Sequence, residues 1–175
     1  MKRFVVLIGL MVLGLVGSAQ MKTIVTSLAD EALNKVKPFV LVDQATGYVM
    51  AQKPVKYNSE ADMPECYFTT LPVSEIGLTV CNASRILAIN TRVNSDAFAI
   101  NLNQDEKEIF FSPRKYLATA KWSYLWEPRV EGNWVCFRNV LQQDVYLAVD
   151  NSGNYQKADA AHASRWQLIW SGEHN

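Results

Sequence analysis

An all-β fold built by repeating a short hairpin is what this sequence predicts. Four segments spell nearly the same pattern of apolar strand, polar turn and second strand: Phe39–Ala51, Leu78–Ile89, Ile109–Thr119 and Val135–Asp150. Turn formers recur between β-branched and aromatic runs, at Thr46-Gly47, Asn58-Ser59, Asn94-Ser95-Asp96, Asn103-Gln104-Asp105, Gly132-Asn133 and Asn151-Ser152-Gly153. No helical period long enough for a crossover separates these strands, so they are expected to pair antiparallel.

In chain order, residues 1–19 have the grammar of an export signal: Lys2 and Arg3, an apolar run from Phe4 to Val16, then Gly17-Ser18-Ala19 as a small-residue cleavage site. The run falls short of the roughly 20 residues a spanning helix needs. Removal of the segment is therefore expected, which implies a secreted or periplasmic protein with no membrane attachment afterwards. Residues 20–37 read as a short amphipathic helix or spacer. Thr26 and Ser27 offer a cap, Asp30 and Glu31 lie in the first turn, Lys35 and Lys37 in the last, and Pro38 stops it. Residues 38–172 carry the β domain.

Within that domain, Trp122-Ser-Tyr-Leu-Trp126 and Trp166-Gln-Leu-Ile-Trp170 share a spacing that puts alternate residues on one strand face, and Cys66-Tyr-Phe-Thr-Thr70 takes the corresponding place earlier. Three closing strands, marked by positions 66, 122 and 166, predict three units about a pseudo-threefold axis, with the segment at 109–119 internal to a longer second unit. Large rings at alternating strand positions belong in the interior, which is expected of Trp122 and Trp166. Trp126, Trp134 and Trp170 stand nearer strand ends; core or rim packing is the simpler expectation there, and a partly exposed ring stacking on a ligand is the alternative.

Charge and cysteine content narrow the partners. Without Lys2 and Arg3 the chain keeps fifteen basic and seventeen acidic side chains, spread without a basic run, so nucleic acid is not an expected partner. Three cysteines, Cys66, Cys81 and Cys136, leave at least one without an intrachain partner. A hairpin of residues 66–70 with 77–81 would allow a Cys66–Cys81 disulfide. Three small buried apolar side chains are the preferred reading.

Several of these residues resemble the ricin-type β-trefoil, whose repeat runs from an apolar strand ending in Asn, through a Ser-Gly or Thr-Gly turn and a Tyr/Leu-rich strand, to Gln-x-Trp. Val42-Asp43-Gln-Ala-Thr46-Gly47-Tyr48 matches the opening of the first unit, and Cys81-Asn82-Ala83-Ser84 through Ile86-Leu87 the start of the second. Phe137-Arg138-Asn139, Tyr146 to Asp150 and Trp166 match most of the third. The resemblance covers roughly residues 38–170 and implies a β-trefoil.

It also implies where a sugar would sit: an Asp after the second strand, a Gln and an aromatic on the third, and an Asn-Gln pair before the signature Trp. Asp150 or Asn151 takes the first place and Gln156 the second, but Ala158 and Ala163-Ser164 replace the aromatic and the pair. Losing the apolar platform and two hydrogen-bonding side chains removes most of what holds a sugar, so a ricin-like galactose pocket is not expected there. In the first unit an insert from Lys53 to Pro64 is expected to replace the corresponding strand.

The function these readings imply is that of a secreted, non-catalytic recognition module, lectin-like and carbohydrate-binding, with Asp150, Asn151, Gln156 and Trp134 as candidate ligand contacts. The alternative is a protein-binding module such as a protease inhibitor or a cytokine-like ligand, using the Lys53–Pro64 loop with Pro54, Tyr57 and Met63. No catalytic residue, metal ligand or cofactor site is expected. Of the two histidines, His162 and His174, neither has a partner at ligand spacing. Asp105-Glu106-Lys107-Glu108 reads as a solvated hairpin tip, and Asn82-Ala83-Ser84 as a turn that also satisfies the glycosylation rule.

Overall fold

The computed structural model describes residues 38–56, 64–71, 86–103, 108–119 and 122–170. The segments read as signal and spacer lie outside the described residues, as do Tyr57 and Met63, Cys81, Asn82-Ala83-Ser84, His174 and all of the acidic run but Glu108.

The described residues form twelve strands joined in one antiparallel sheet: β1 Phe39–Asp43, β2 Tyr48–Val49, β3 Val55–Lys56, β4 Cys66–Leu71, β5 Ile86–Val93, β6 Asp96–Leu102, β7 Ile109–Pro113, β8 Trp126–Glu131, β9 Trp134–Asn139, β10 Tyr146–Val149, β11 Tyr155–Ala158 and β12 Trp166–Trp170. A 3₁₀ helix, Arg114–Thr119, follows β7; the described residues contain no α-helix. The all-β expectation is met.

Six strands make a partial ring. β1 with β12, β4 with β5 and β8 with β9 are tied by ladders of five or six residue pairs. The other three junctions, β1 with β4, β5 with β8 and β9 with β12, are single pairs: Phe39 with Cys66, Leu87 with Trp126, and Val135 with Trp166. Between the ring strands come the pairs β2–β3, β6–β7 and β10–β11.

The chain turns where the sequence provides for it. Asp43 Oδ2 accepts from the Thr46 amide at 2.9 Å and the Thr46 hydroxyl at 2.7 Å, and Gly47 sits at φ +71°, so a polar side chain and a left-handed residue together reverse the strand. At the end of β9, Asn139 does the same work: its Oδ1 accepts the Leu141 and Gln142 amides, both at 3.0 Å. In the β5–β6 turn Asn94, at φ 57°, takes the glycine-like place.

Alternate residues of the ring strands face one core. Phe39 and Leu41 of β1, Phe68 of β4, Leu87 and Ile89 of β5, Trp126 of β8, Val135 and Phe137 of β9, and Trp166 and Leu168 of β12 are all buried there. The Phe39 and Phe68 rings lie 4.2 Å apart, and Phe68 and Phe137 6.2 Å. Truncating one of these rings costs about 3–5 kcal/mol.

Several expectations need correction. Trp122 is not on a strand: it lies in a turn at φ 65° and is 37% exposed, whereas Trp126, which opens β8, is fully buried. The alternation of Trp-Ser-Tyr-Leu-Trp imitates a strand, but the polar groups of Ser123 serve neighbours on three sides. Its hydroxyl donates to Asn101 Oδ1 at 2.6 Å, and its carbonyl accepts from Asn139 Nδ2 and the Leu102 amide. The matching position to Cys66 and Trp166 is therefore Trp126. The segment after Ile109–Pro113 continues as a 3₁₀ helix, not a second strand, because Pro113 offers no amide to a ladder. Ile86–Ile89 opens β5, which pairs with β4, while the rest of the Leu78–Ile89 segment lies outside the described residues. Within the presumed insert, Val55–Lys56 pairs with β2, so the strand is shortened and not replaced.

Residues 77–81, expected opposite Cys66, lie outside the described residues; Cys66 is a free, buried thiol between Phe39 and Thr91 in register, so it forms no disulfide. Burial and the nearby Glu65 charge push it up to about 12. Cys136 is also free and buried, and likewise raised by burial.

Candidate functional site

Three of the four sequence-derived contacts share the β10–β11 hairpin. Asp150 stands at its turn, Asn151 follows, and Gln156 pairs with Ala148 and faces solvent. The Asp150 carboxylate is engaged by its own turn: Oδ1 accepts the Ser152 amide at 2.8 Å and the Asn154 amide at 2.9 Å, and Oδ2 accepts Asn154 Nδ2 at 3.2 Å. These bonds, those from Asn154 foremost, hold its pKa below the ordinary range for Asp. The Asn151 carbonyl accepts the Tyr48 hydroxyl at 3.4 Å. Trp134 is elsewhere, at the opening of β9 opposite Glu131 in the β8–β9 hairpin, and is half-buried. Ser164, at the place of the family's polar pair, is buried, and its hydroxyl accepts the Val149 amide at 3.0 Å.

A cavity opens elsewhere, beside the β6–β7 pair. A cleft of about 270 Å³ is lined by Asp96, Ala97 and Phe98 of β6, Pro113 of β7, and Arg114, Lys115 and Tyr116 of the 3₁₀ helix. The sequence builds it locally. The Asn94 turn starts β6 at Asp96, with Phe98 opposite Pro113 in the β6–β7 ladder. Pro113 ends β7, and the tight 3₁₀ winding that follows throws successive side chains about 120° apart. Leu117 is buried and anchors the helix to the protein, while Tyr116 beside it is 61% exposed.

The polar groups of the cleft are of mixed charge. Arg114 Nη1 donates to Thr69 Oγ1 of β4 at 3.5 Å, a long bond to a neutral partner. Lys115 Nζ lies 5.1 Å from the centre of the Tyr116 ring. Asp96 is exposed at the other side of the lining. An exposed aromatic ring, a carboxylate and two cations around a small concavity can grip a polar ring compound: the ring stacks, the charged groups take its hydroxyls.

Sequence reasoning did not single out Asp96, Arg114, Lys115 or Tyr116. The signal was there in Ser112-Pro-Arg-Lys-Tyr116, a proline-ended strand followed by two cations and an aromatic, but it was absorbed into a hairpin turn. Two further polar clusters are structural in character. Glu127, buried on β8, takes Arg138 of β9 (Nε to Oε2 2.5 Å) and Arg129 (2.9 Å to Oε1). Exposed Asp159 and His162 pair at 2.8 Å within one turn, which lowers the pKa of Asp159. Among the described residues no group of three His, Cys, Asp or Glu side chains is placed to hold a metal ion.

No protein-family model matches the chain, and no curated protein matches it. The ricin-type resemblance therefore rests on the residues quoted for it.

Proposed function

We propose that this protein is an exported, non-catalytic recognition module of the β-trefoil kind, and that it binds carbohydrate in the cleft between β6, β7 and the 3₁₀ helix. The trefoil reading is supported by equivalence of position: Phe39, Leu87 and Val135 make the three single-pair junctions of the ring and recur at one constant interval along the chain. Their partners Cys66, Trp126 and Trp166 stand opposite Thr91, Asn139 and Asp43, three buried polar residues in matching register. Each third then contributes one outer hairpin.

The carbohydrate reading is carried by one observation, the exposed Tyr116 ring at the rim of a concavity that also holds Asp96, Arg114 and Lys115. Sugars are bound by hydrogen bonds to hydroxyls together with an apolar platform, and this cleft offers both. A lectin of this kind needs no reaction centre; its specificity lies in where a few side chains stand.

A glycan array probed with the purified protein, repeated with Tyr116→Ala, tests it. Specific binding lost in Tyr116→Ala supports the cleft. Loss in Asp150→Ala or Gln156→Ala, with Tyr116→Ala unaffected, moves the site to the β10–β11 hairpin. An empty array retires the carbohydrate reading.

A further inference from the structure

We propose that the cleft selects acidic saccharides, those carrying a carboxylate or sulfate on the sugar ring, over their neutral counterparts; this rests on the carbohydrate reading of the same site. Among the described residues, neither cation of the cleft is neutralised. The one hydrogen bond of Arg114 goes to a hydroxyl, and Lys115 approaches an aromatic face. Elsewhere Arg129 and Arg138 both reach Glu127, Arg165 comes within 3.8 Å of Glu131, and Arg92 lies over the Tyr67 ring. Arg114 and Lys115 thus stand side by side at a concavity, neither with a carboxylate partner among the described residues.

The physical consequence concerns desolvation. A neutral sugar entering the cleft strips water from two cations and returns only hydroxyl dipoles, while a ring-borne anion returns a full opposite charge. The planar guanidinium of Arg114 suits the paired oxygens of a carboxylate or sulfate, and the ammonium of Lys115 acts as a second point charge beside it. Asp96 is the only acid in the lining, so the cleft carries a net positive charge. Its carboxylate is left to accept a sugar hydroxyl, with the ring laid against Tyr116. The two halves of the site then have separate tasks: Tyr116 and Asp96 recognise a sugar, Arg114 and Lys115 choose a charged one.

The test uses matched pairs on an array and in calorimetric titration, each pair sharing ring stereochemistry and differing in the acidic group: glucose- and glucuronate-terminated, galactose- and galacturonate-terminated, and sulfated and unsulfated oligosaccharides. Expected is at least about tenfold tighter binding of the acidic member, lost as salt is raised towards 0.5 M. The preference should also disappear in Arg114→Gln/Lys115→Gln, whose exposed side chains leave the thermal midpoint unchanged. Equal binding of both members overturns the charge selection and leaves the carbohydrate reading standing. Acidic preference that persists in the double variant overturns the assignment to these residues, and no binding by any pair overturns both.

Discussion

The hydroxyl of Tyr155 grips both backbone groups of Ala51, donating to its carbonyl at 2.6 Å and accepting from its amide at 2.8 Å. Tyr155 lies on β11 and Ala51 just after β2, so one phenol fastens the last hairpin to the first. Its ring meets Phe111 of β7 edge-on, with centroids 5.7 Å apart, so the second hairpin shares the contact. Tyr155→Phe keeps the ring and strands two backbone groups of a buried residue, for which a loss of about 1–3 kcal/mol is expected. Urea denaturation should show the midpoint falling with an unchanged slope.

The same two hairpins touch again at Gly153. It adopts φ +83°, and a Cβ there would meet the Tyr48 ring at 3.1 Å, whereas Gly132, at φ +62°, has nothing within 4 Å of the equivalent atom. Gly132→Ala should cost only the left-handed penalty of about 1–2 kcal/mol. Gly153→Ala should cost measurably more, because the Tyr48 ring must shift and its hydroxyl bond to Asn151 is disturbed. Paired thermal melts of the two variants decide it.

Arg138 and Glu127 face each other across the β8–β9 ladder, with side chains 15% and 3% exposed. Arg138→Met leaves a buried carboxylate to Arg129 alone and should cost about 3–5 kcal/mol, as removing one partner of a buried pair does. Adding Glu127→Leu removes the stranded charge, and much of the loss should return. A double-mutant cycle by chemical denaturation checks both steps.

Asp150 is held below the ordinary Asp range by the bonds of its turn, first among them those from Asn154. A depressed native value means the contribution is present above the unfolded value of about 3.9 and is lost as pH falls through the native one. An NMR titration should place its midpoint below that of an unfolded-chain Asp, and Asn154→Ala should bring it back up. Acid should loosen the β10–β11 turn only below about pH 4.

Legibility in the sequence followed the range of the forces involved. The stretch from β9 to β12 could be read almost residue by residue, because Asn139, the Asn151–Gly153 turn and Trp166 each act through local geometry that composition betrays. Cys66 and Cys136 were correctly read as buried thiols for a similar reason. Trp122 and Trp126 exchanged roles because the deciding bonds of Ser123, to Asn101 and Asn139, come from parts of the chain with no local trace. The cleft was missed for the same cause: Asp96 and Tyr116 are brought together by the β6–β7 ladder, and neither residue alone looks unusual. The constant interval linking Phe39, Leu87 and Val135 was hidden because the tryptophans, the most visible markers, do not all keep it.

The ladder between β1 and β12 sets the timing of assembly. Until residues 166–170 have been synthesised, Phe39–Asp43 lacks the neighbour with which it makes five of its backbone pairs. The nascent chain can zip β4 to β5 and β8 to β9 early, but it must wait with its leading edge open until its far end arrives. Such long-range closure makes for slow folding. It also gives any factor that keeps the polypeptide extended during synthesis a natural window in which to act.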